Sequence, residues 1–475
     1  MSKTTHKPYQ RTRAGCLPCR RRRKKCDQST PLCLGCRRNH LICTWPSAGP
    51  ELANTLGHSG STQDGNPSLT HFCNGGDNVQ RSIDFKRLLR QPSPLPPLFR
   101  RQPAGDLLEY FKLMTAPRMV CRSNIENPFI TYHLRLATLS TSLQHAILAI
   151  GACHRAYISP DFSILAYDHY AVAVRSLKFG ITEWHACSAA NRAALAASCL
   201  ALCWYEIIHA NIRGALYHHL RAGGYMIRDL QDDSKFHQDE LLGFFIEQYS
   251  YLAILANIDP SDRLKSQLVD PHTLTESLTH LHPRSPIYGF LLGASRDLFA
   301  LILRTTSVAT QRGNFGPIDA NHYDIIMEMI SRWAATSVSH DLTNQHSGRM
   351  YQAASIIYLH VSKHGLQDVT ENLKETINPF INLFLQSFQQ LPFDSPQWTT
   401  FMWPSLVAGS CMRDPSHRKA LLKLFHDSSL QMEAVDSTAR WLSQHWANMD
   451  RNPAVYGIRG LCETLSLENV LLCIG

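Results

Sequence analysis

Six cysteines lie within the first 43 residues, at Cys16, Cys19, Cys26, Cys33, Cys36 and Cys43. They read C-x2-C-x6-C-x6-C-x2-C-x6-C, one C-x2-C-x6-C unit repeated at a period of 17. Two cysteines two residues apart can turn both sulfurs toward one tetrahedral ion, and Zn²⁺ favours thiolates at about 2.3 Å. The duplication points to two equivalent half-sites and so to two zinc ions. Two four-coordinate ions need eight bonds, and six thiolates supply eight when two of them bridge. Pseudo-symmetry puts the bridging pair at matching positions of the two halves, for which Cys16 and Cys33 are the natural candidates.

Cations surround these sulfurs: Arg11, Arg13, Arg20, Arg21, Arg22, Arg23, Lys24, Lys25, Arg37 and Arg38. The net charge of +9 is concentrated there. Residues 1–43 hold twelve of the 47 Lys/Arg and one of the 38 Asp/Glu, Asp27, so the other 35 cations and 37 acids nearly cancel. A basic block beside a near-neutral bulk is the footprint of a polyanion-binding surface. The polar, basic N-terminus has no apolar signal segment. The longest apolar run, Ala193 to Tyr205, is too short to span a bilayer. The expectation is a soluble protein of a reducing compartment, where this spacing favours metal over disulfides.

The segment resembles the fungal Zn2Cys6 binuclear-cluster transcription factors, and the match runs across residues 16 to 43. In that family each half is a short helix starting near its C-x2-C, and the first and fourth cysteines bridge. The basic run Arg20 to Lys25 and Pro31, two residues before the fourth cysteine, also fit the pattern. The resemblance implies that the first helix enters the major groove and that Arg22 and Arg23 read bases at a CGG-type triplet, Arg23 foremost. Arg13, Arg20, Lys24, Lys25, Arg37 and Arg38 are then phosphate contacts or solvated surface. Only Leu17, Leu32, Leu34, Leu41 and Ile42 offer apolar bulk, so metal ligation must supply the folding free energy.

The elements carrying this module follow from the rest of the chain. Residues 1–15 form a basic arm, 16–45 the cluster and 46–104 a Gly/Ser/Pro-rich tether with no sustained hydrophobic period. Ile83 to Arg90 could form two helical turns. Residues 105–475 carry three- and four-residue hydrophobic steps, as in Leu143–Ala146–Ile147–Ile150–Cys153–Tyr157 and Leu241–Phe244–Phe245–Tyr249–Leu252–Leu255. A third set, Ile377 to Leu391, contains Pro379, read as a helix start or break. Breakers recur at 257–260 and 450–453. The fold class expected is all-α, with a dozen or more helices. This region resembles the helical regulatory domain of the same fungal factors through Asn127-Pro128-Phe129 and the Tyr167–Leu177 stretch. No heptad coiled coil follows the cluster, so dimerisation by that route is not expected.

Other features have plain readings. Cys199 and Cys203, at i and i+4, are buried core cysteines in preference to ligands. Cys73, Cys121, Cys153, Cys187, Cys411, Cys462 and Cys473 show no ligand spacing. His272, His280 and His282 form a loop cluster, and His218–His219 opens no H-E-x-x-H. No G-x-S-x-G, P-loop or G-x-G-x-x-G occurs, so an enzyme is not expected. The sequence therefore reads as a nuclear DNA-binding regulator of RNA polymerase II transcription, with double-stranded DNA and the transcription machinery as partners and a small-molecule effector acting on the helical half. The competing reading is a zinc-scaffolded adaptor that binds proteins and uses its basic run only for nuclear import.

Overall fold

The computed structural model describes residues 16, 19, 24–29, 33–35, 94–122, 126–210, 214–236, 240–258, 289–291, 298–305, 320–333, 341–363 and 369–467. The chain divides into two units, Met1–Ile83 and Asp84–Gly475. Among the described residues there is no strand, and the second unit contains thirteen α-helices of seven residues or more. No helix among them is long and apolar enough to cross a membrane. Ile83 to Arg90 lies outside the described residues.

Packed structure begins ahead of Gly105. Pro97–Arg100 makes a single 3-10 turn that buries Phe99, and α1 (Ala104–Tyr110) follows directly. Next come α2 (Thr141–Ala156), α3 (Phe162–Thr182), α4 (Ala189–Ile208), α5 (Ala215–Asp232) and α6 (Glu240–Ala256). The later group is α7 (Ala320–Arg332), α8 (Leu342–Lys363), α9 (Glu371–Gln389), α10 (Met402–Gly409), α11 (Pro415–His426), α12 (Glu433–Arg451) and α13 (Gly457–Ser466). Local signals place several starts. Ser140 accepts the Leu143 N–H at 3.2 Å ahead of α2, and Ser188 accepts the Asn191 N–H at 3.3 Å ahead of α4; each satisfies a donor the first turn leaves open.

Within the first group α2 packs on α3 and α4, α4 on α5, and α5 on α6; within the second α8 packs on α9 and α10, and α12 on α13. α4 is sealed along nearly its whole length. Its run of alanines lets neighbours approach closely, and at Gly180 of α3 an added Cβ would come within 2.5 Å of the Leu195 side chain. α6 is buried all round from Leu241 to Ala256. Two polar side chains on it make buried hydrogen bonds: Glu247 accepts the Leu291 N–H at 2.7 Å, and Gln248 Oε1 accepts from Trp204 Nε1 at 3.3 Å. Tyrosine hydroxyls join distant segments, with Tyr251 donating to the Thr399 carbonyl at 2.9 Å and Tyr358 to that of Ile258 at 3.1 Å.

One sequence expectation fails. Pro379 neither starts nor breaks a helix; α9 runs through it. A proline inside a helix loses a hydrogen bond and costs about 3 kcal/mol. Ile377, Ile381, Phe384 and Phe388, on either side of it, are all buried, at about 1.5–3 kcal/mol each. Pro379 itself lies on the exposed face, where water can reach the carbonyl left without a partner.

The aromatic centre gives a stability test. Phe244 is fully buried, with ring centroids of Phe129 at 5.3 Å, His133 at 5.9 Å and Phe290 at 6.4 Å. Phe244→Ala is expected to cost about 3–5 kcal/mol in urea unfolding followed by far-UV circular dichroism. A loss below about 1 kcal/mol would mean that this cluster does not anchor the first helical group.

Candidate metal centre

In the first unit Cys19, Leu34 and Gly35 have helical conformation. The Lys24 N–H donates to the Cys19 carbonyl at 3.0 Å, closing the chain behind the first C-x2-C. Four sulfurs converge: those of Cys16, Cys19, Cys26 and Cys33 all lie within 4.8 Å of one another. Sγ–Sγ distances are 3.7 Å for Cys16–Cys33, 3.6 Å for Cys19–Cys33 and 3.8 Å for Cys16–Cys26. A disulfide needs about 2.05 Å, so these are separate thiols. A tetrahedron of sulfurs about 2.3 Å from its centre has edges of about 3.8 Å. The four sulfurs therefore fit one tetrahedral zinc ion. Cys16 and Cys33 occupy the middle of the set, each close to the other and to one further cysteine.

The surroundings suit a divalent cation. Cys16, Cys19 and Cys33 are buried, and Cys26 is half-buried. Burial pushes the Cys26 thiol up, and hydrogen bonds with the Cys33 and Cys16 side chains act in the same direction. Beside a bound cation that preference inverts and the thiolate is favoured. Gln28 donates its N–H to Cys26 Sγ at 3.4 Å from a left-handed backbone, φ 60°, which the rest of the loop must hold at about 1 kcal/mol. A Cβ on Gly35 would sit 3.2 Å from the Cys19 sulfur and 3.8 Å from that of Cys33, so a larger residue would crowd the site.

Sequence reasoning counted Asp27 only as the lone acid among twelve cations. In the structure its carboxylate accepts hydrogen bonds from the Ser29 hydroxyl and from the backbone N–H groups of Leu34 and Gly35, which hold its carboxyl down at about 2. It thereby fastens the loop after Cys26 to the turn carrying Cys33. The seven-residue separation matches no local capping pattern; the only available signal was a single carboxylate kept within a basic block.

Of the other predicted site residues, Lys24 and Lys25 are exposed beside the sulfurs. Cys36, Cys43, Arg13, Arg20, Arg22, Arg23, Arg37, Arg38 and Pro31 lie outside the described residues, as do His272, His280 and His282. Leu34, one of the few apolar residues of the segment, is half exposed. In the helical unit Cys199 and Cys203 are fully buried; burial pushes the Cys199 thiol up to about 12 and that of Cys203 well above its usual range. Cys199 donates to Met226 Sδ at 3.7 Å. Among the described residues the Cys16–Cys19–Cys26–Cys33 group is the one set of three or more His, Cys, Asp or Glu side chains placed to hold a metal.

Support for a ligand by an outer residue typically contributes 10–100-fold to metal affinity. Asp27→Ala is therefore expected to weaken zinc retention by roughly 10-fold or more, read by competition with a colorimetric chelator, while Asp27→Asn, which keeps one acceptor oxygen, loses less. Equal retention in all three proteins would remove Asp27 from the site's support.

Comparison with known proteins completes the picture. The fungal Zn(2)-Cys(6) binuclear cluster domain matches residues 14–49, which include all six cysteines, and the fungal specific transcription factor domain matches residues 106–459. The chain is 27% identical over 155 residues to the Zn(2)-C6 fungal-type transcription factor afumD of Aspergillus fumigatus, covering 32% of this chain and 35% of that protein. It is 50% identical over 44 residues to the zinc cluster transcription factor CZF1 of Candida albicans, 9% of this chain and 11% of the other. It is 45% identical over 40 residues to the transcription factor lfc1 of Flammulina velutipes, 8% and 14% respectively. These matches span about a tenth to a third of the relatives' own lengths. No solved structure matches the chain. The chain belongs to the fungal transcription factors that join a Zn(2)-Cys(6) binuclear cluster domain, which holds two zinc ions, to a fungal specific transcription factor domain.

Proposed function

We propose that this protein is a nuclear, sequence-specific DNA-binding regulator of RNA polymerase II transcription that recognises CGG-type elements. The observation that carries the reading is the tetrahedral cage of Cys16, Cys19, Cys26 and Cys33 set into a strongly basic segment. Cys36 and Cys43 complete the ligand set for the second zinc ion, with Cys16 and Cys33 shared. When bound, the metal supplies the rigidity that so small an apolar inventory cannot. Arg22 and Arg23 read base edges, and an arginine fork grips guanine O6 and N7 together. Arg13, Arg20, Lys24, Lys25, Arg37 and Arg38 neutralise phosphates and fix the register. The helical unit, at residues 105–475, receives the effectors or components of the transcription machinery that set activity.

Selection of the full chain on a random duplex library tests the reading, with enrichment of a CGG-containing site expected. Retention without sequence preference would favour a protein-binding adaptor instead. On the selected site Arg23→Ala is expected to cost about 1–3 kcal/mol while leaving random DNA little changed. Equal losses on both would make Arg23 a phosphate contact. Affinity should also fall steeply with salt, log K dropping by about 0.9 for each phosphate neutralised. Chelation should abolish DNA binding and leave the helical circular dichroism of the second unit in place; binding that survives zinc removal would overturn the assignment.

A further inference from the structure

α2 and α3 pack side by side and are tied by Ser142, whose hydroxyl donates to the Ala173 carbonyl at 2.8 Å. One turn away, His145 of α2 meets His169 of α3. Their Nδ1 atoms stand 2.9 Å apart, with ring centroids at 5.0 Å and planes inclined by 51°. Both residues are half-buried. The hydrogen bond requires one ring to carry its proton on Nδ1 and the other to offer an Nδ1 lone pair. Burial holds His145 down at about 4, helped by the charge of His169, and lowers His169 as well, where Asp168 opposes it. At neutral pH the two imidazoles are therefore uncharged and face each other across a single proton.

Neutral imidazole is the commonest protein ligand of late divalent transition metals, with the nitrogen about 2.0–2.1 Å from the ion. Two nitrogens at that distance are about 2.9 Å apart when they subtend a right angle, and about 3.3 Å apart on a tetrahedron. The separation of 2.9 Å fits the right angle, which square-planar and tetragonal ions such as Ni²⁺ and Cu²⁺ prefer. Seating an ion there releases no net proton. The ring that holds its proton on Nδ1 passes to its Nε2–H tautomer and frees the second lone pair. No third His, Cys, Asp or Glu joins the two among the described residues, so water would fill the remaining positions. Because the Ser142 bond already fixes the helices, binding need not first order its ligands.

We propose that His145 and His169 form a second metal site, a two-histidine clip for a divalent ion of tetragonal preference, which pins α2 to α3. It differs from the thiolate cage in ligand chemistry, since imidazole suits nickel and copper(II) whereas clustered thiolates select zinc. It is carried by the helical unit and does not depend on the DNA-binding reading. An ion that binds only the folded helix pair stabilises it, so occupancy links metal availability to the packing of the first helical group.

The zinc-loaded full chain, free of any purification tag, tests the proposal with Ni²⁺ as the probe. The chain has 24 histidines, so the difference between proteins is read and not the total. Equilibrium dialysis with elemental analysis should find one more nickel per chain in the wild type than in His145→Gln, His169→Gln or the double variant. Those three should match one another, with zinc content and helical circular dichroism unchanged throughout. X-ray absorption of the wild type with one equivalent of Ni²⁺ should show imidazole nitrogens and oxygens around the ion, a readout that stands even where a variant fails to fold. Equal nickel in wild type and variants, a double variant that loses two ions, or a nickel shell containing sulfur would each refute the site.

Discussion

Thiolates held side by side repel, and four sulfurs within 4.8 Å can stay ionised together only around a cation. That requirement governs the first unit. Its apolar residues are few, and Leu34 is half exposed, so the usual driving force of burial is almost absent. The spacing of the cysteines instead makes a closed cage possible, and the cage brings two distant turns of chain into register. The cations that crowd the segment would repel one another on an unfolded chain. Among the described residues Lys24 and Lys25 stand exposed beside the sulfurs, so the metal-fixed turn keeps their charge toward solvent.

The second unit obeys a different rule. Its helices form because amphipathic and fully apolar stretches bury one another, and hydrogen bonding is arranged around that burial. Glu247 shows the order of priority: a carboxylate tolerated in the middle of α6 because it accepts the N–H of Leu291. Pro379 shows it as well, since one lost backbone bond is outweighed by the apolar residues flanking it. The division of labour between the units is thus a division between metal ligation and apolar burial.

Much of this was legible from the residues. Cysteine spacing carries its own geometry, because two positions two apart constrain where both sulfurs can point, and α2 and α6 lie where three- and four-residue periodicity put them. What escaped depended on contacts between residues far apart in the chain. The Asp27 carboxylate bridges to Leu34 and Gly35 across a loop, and no local pattern encodes that bond. The close approach of Gly35 to the Cys19 sulfur became visible only once the turn was folded. Pro379 was misread because a local preference was weighed without the side chains on the other face of its helix.

The buried cysteines of the helical unit have a consequence for chemical damage. Cys199 and Cys411 have thiols pushed up to about 12 by burial, and Cys153 and Cys203 are displaced in the same direction. Such thiols are poor nucleophiles at neutral pH and are shielded from reagents by the side chains around them. The Zn(2)-Cys(6) module instead depends on sulfurs kept as thiolates, and Cys26 is partly open to solvent. Peroxide or an electrophile can therefore reach the sulfurs of the zinc-cluster module more readily than these four, and injury there undoes the metal cage while the α-helical body keeps its shape.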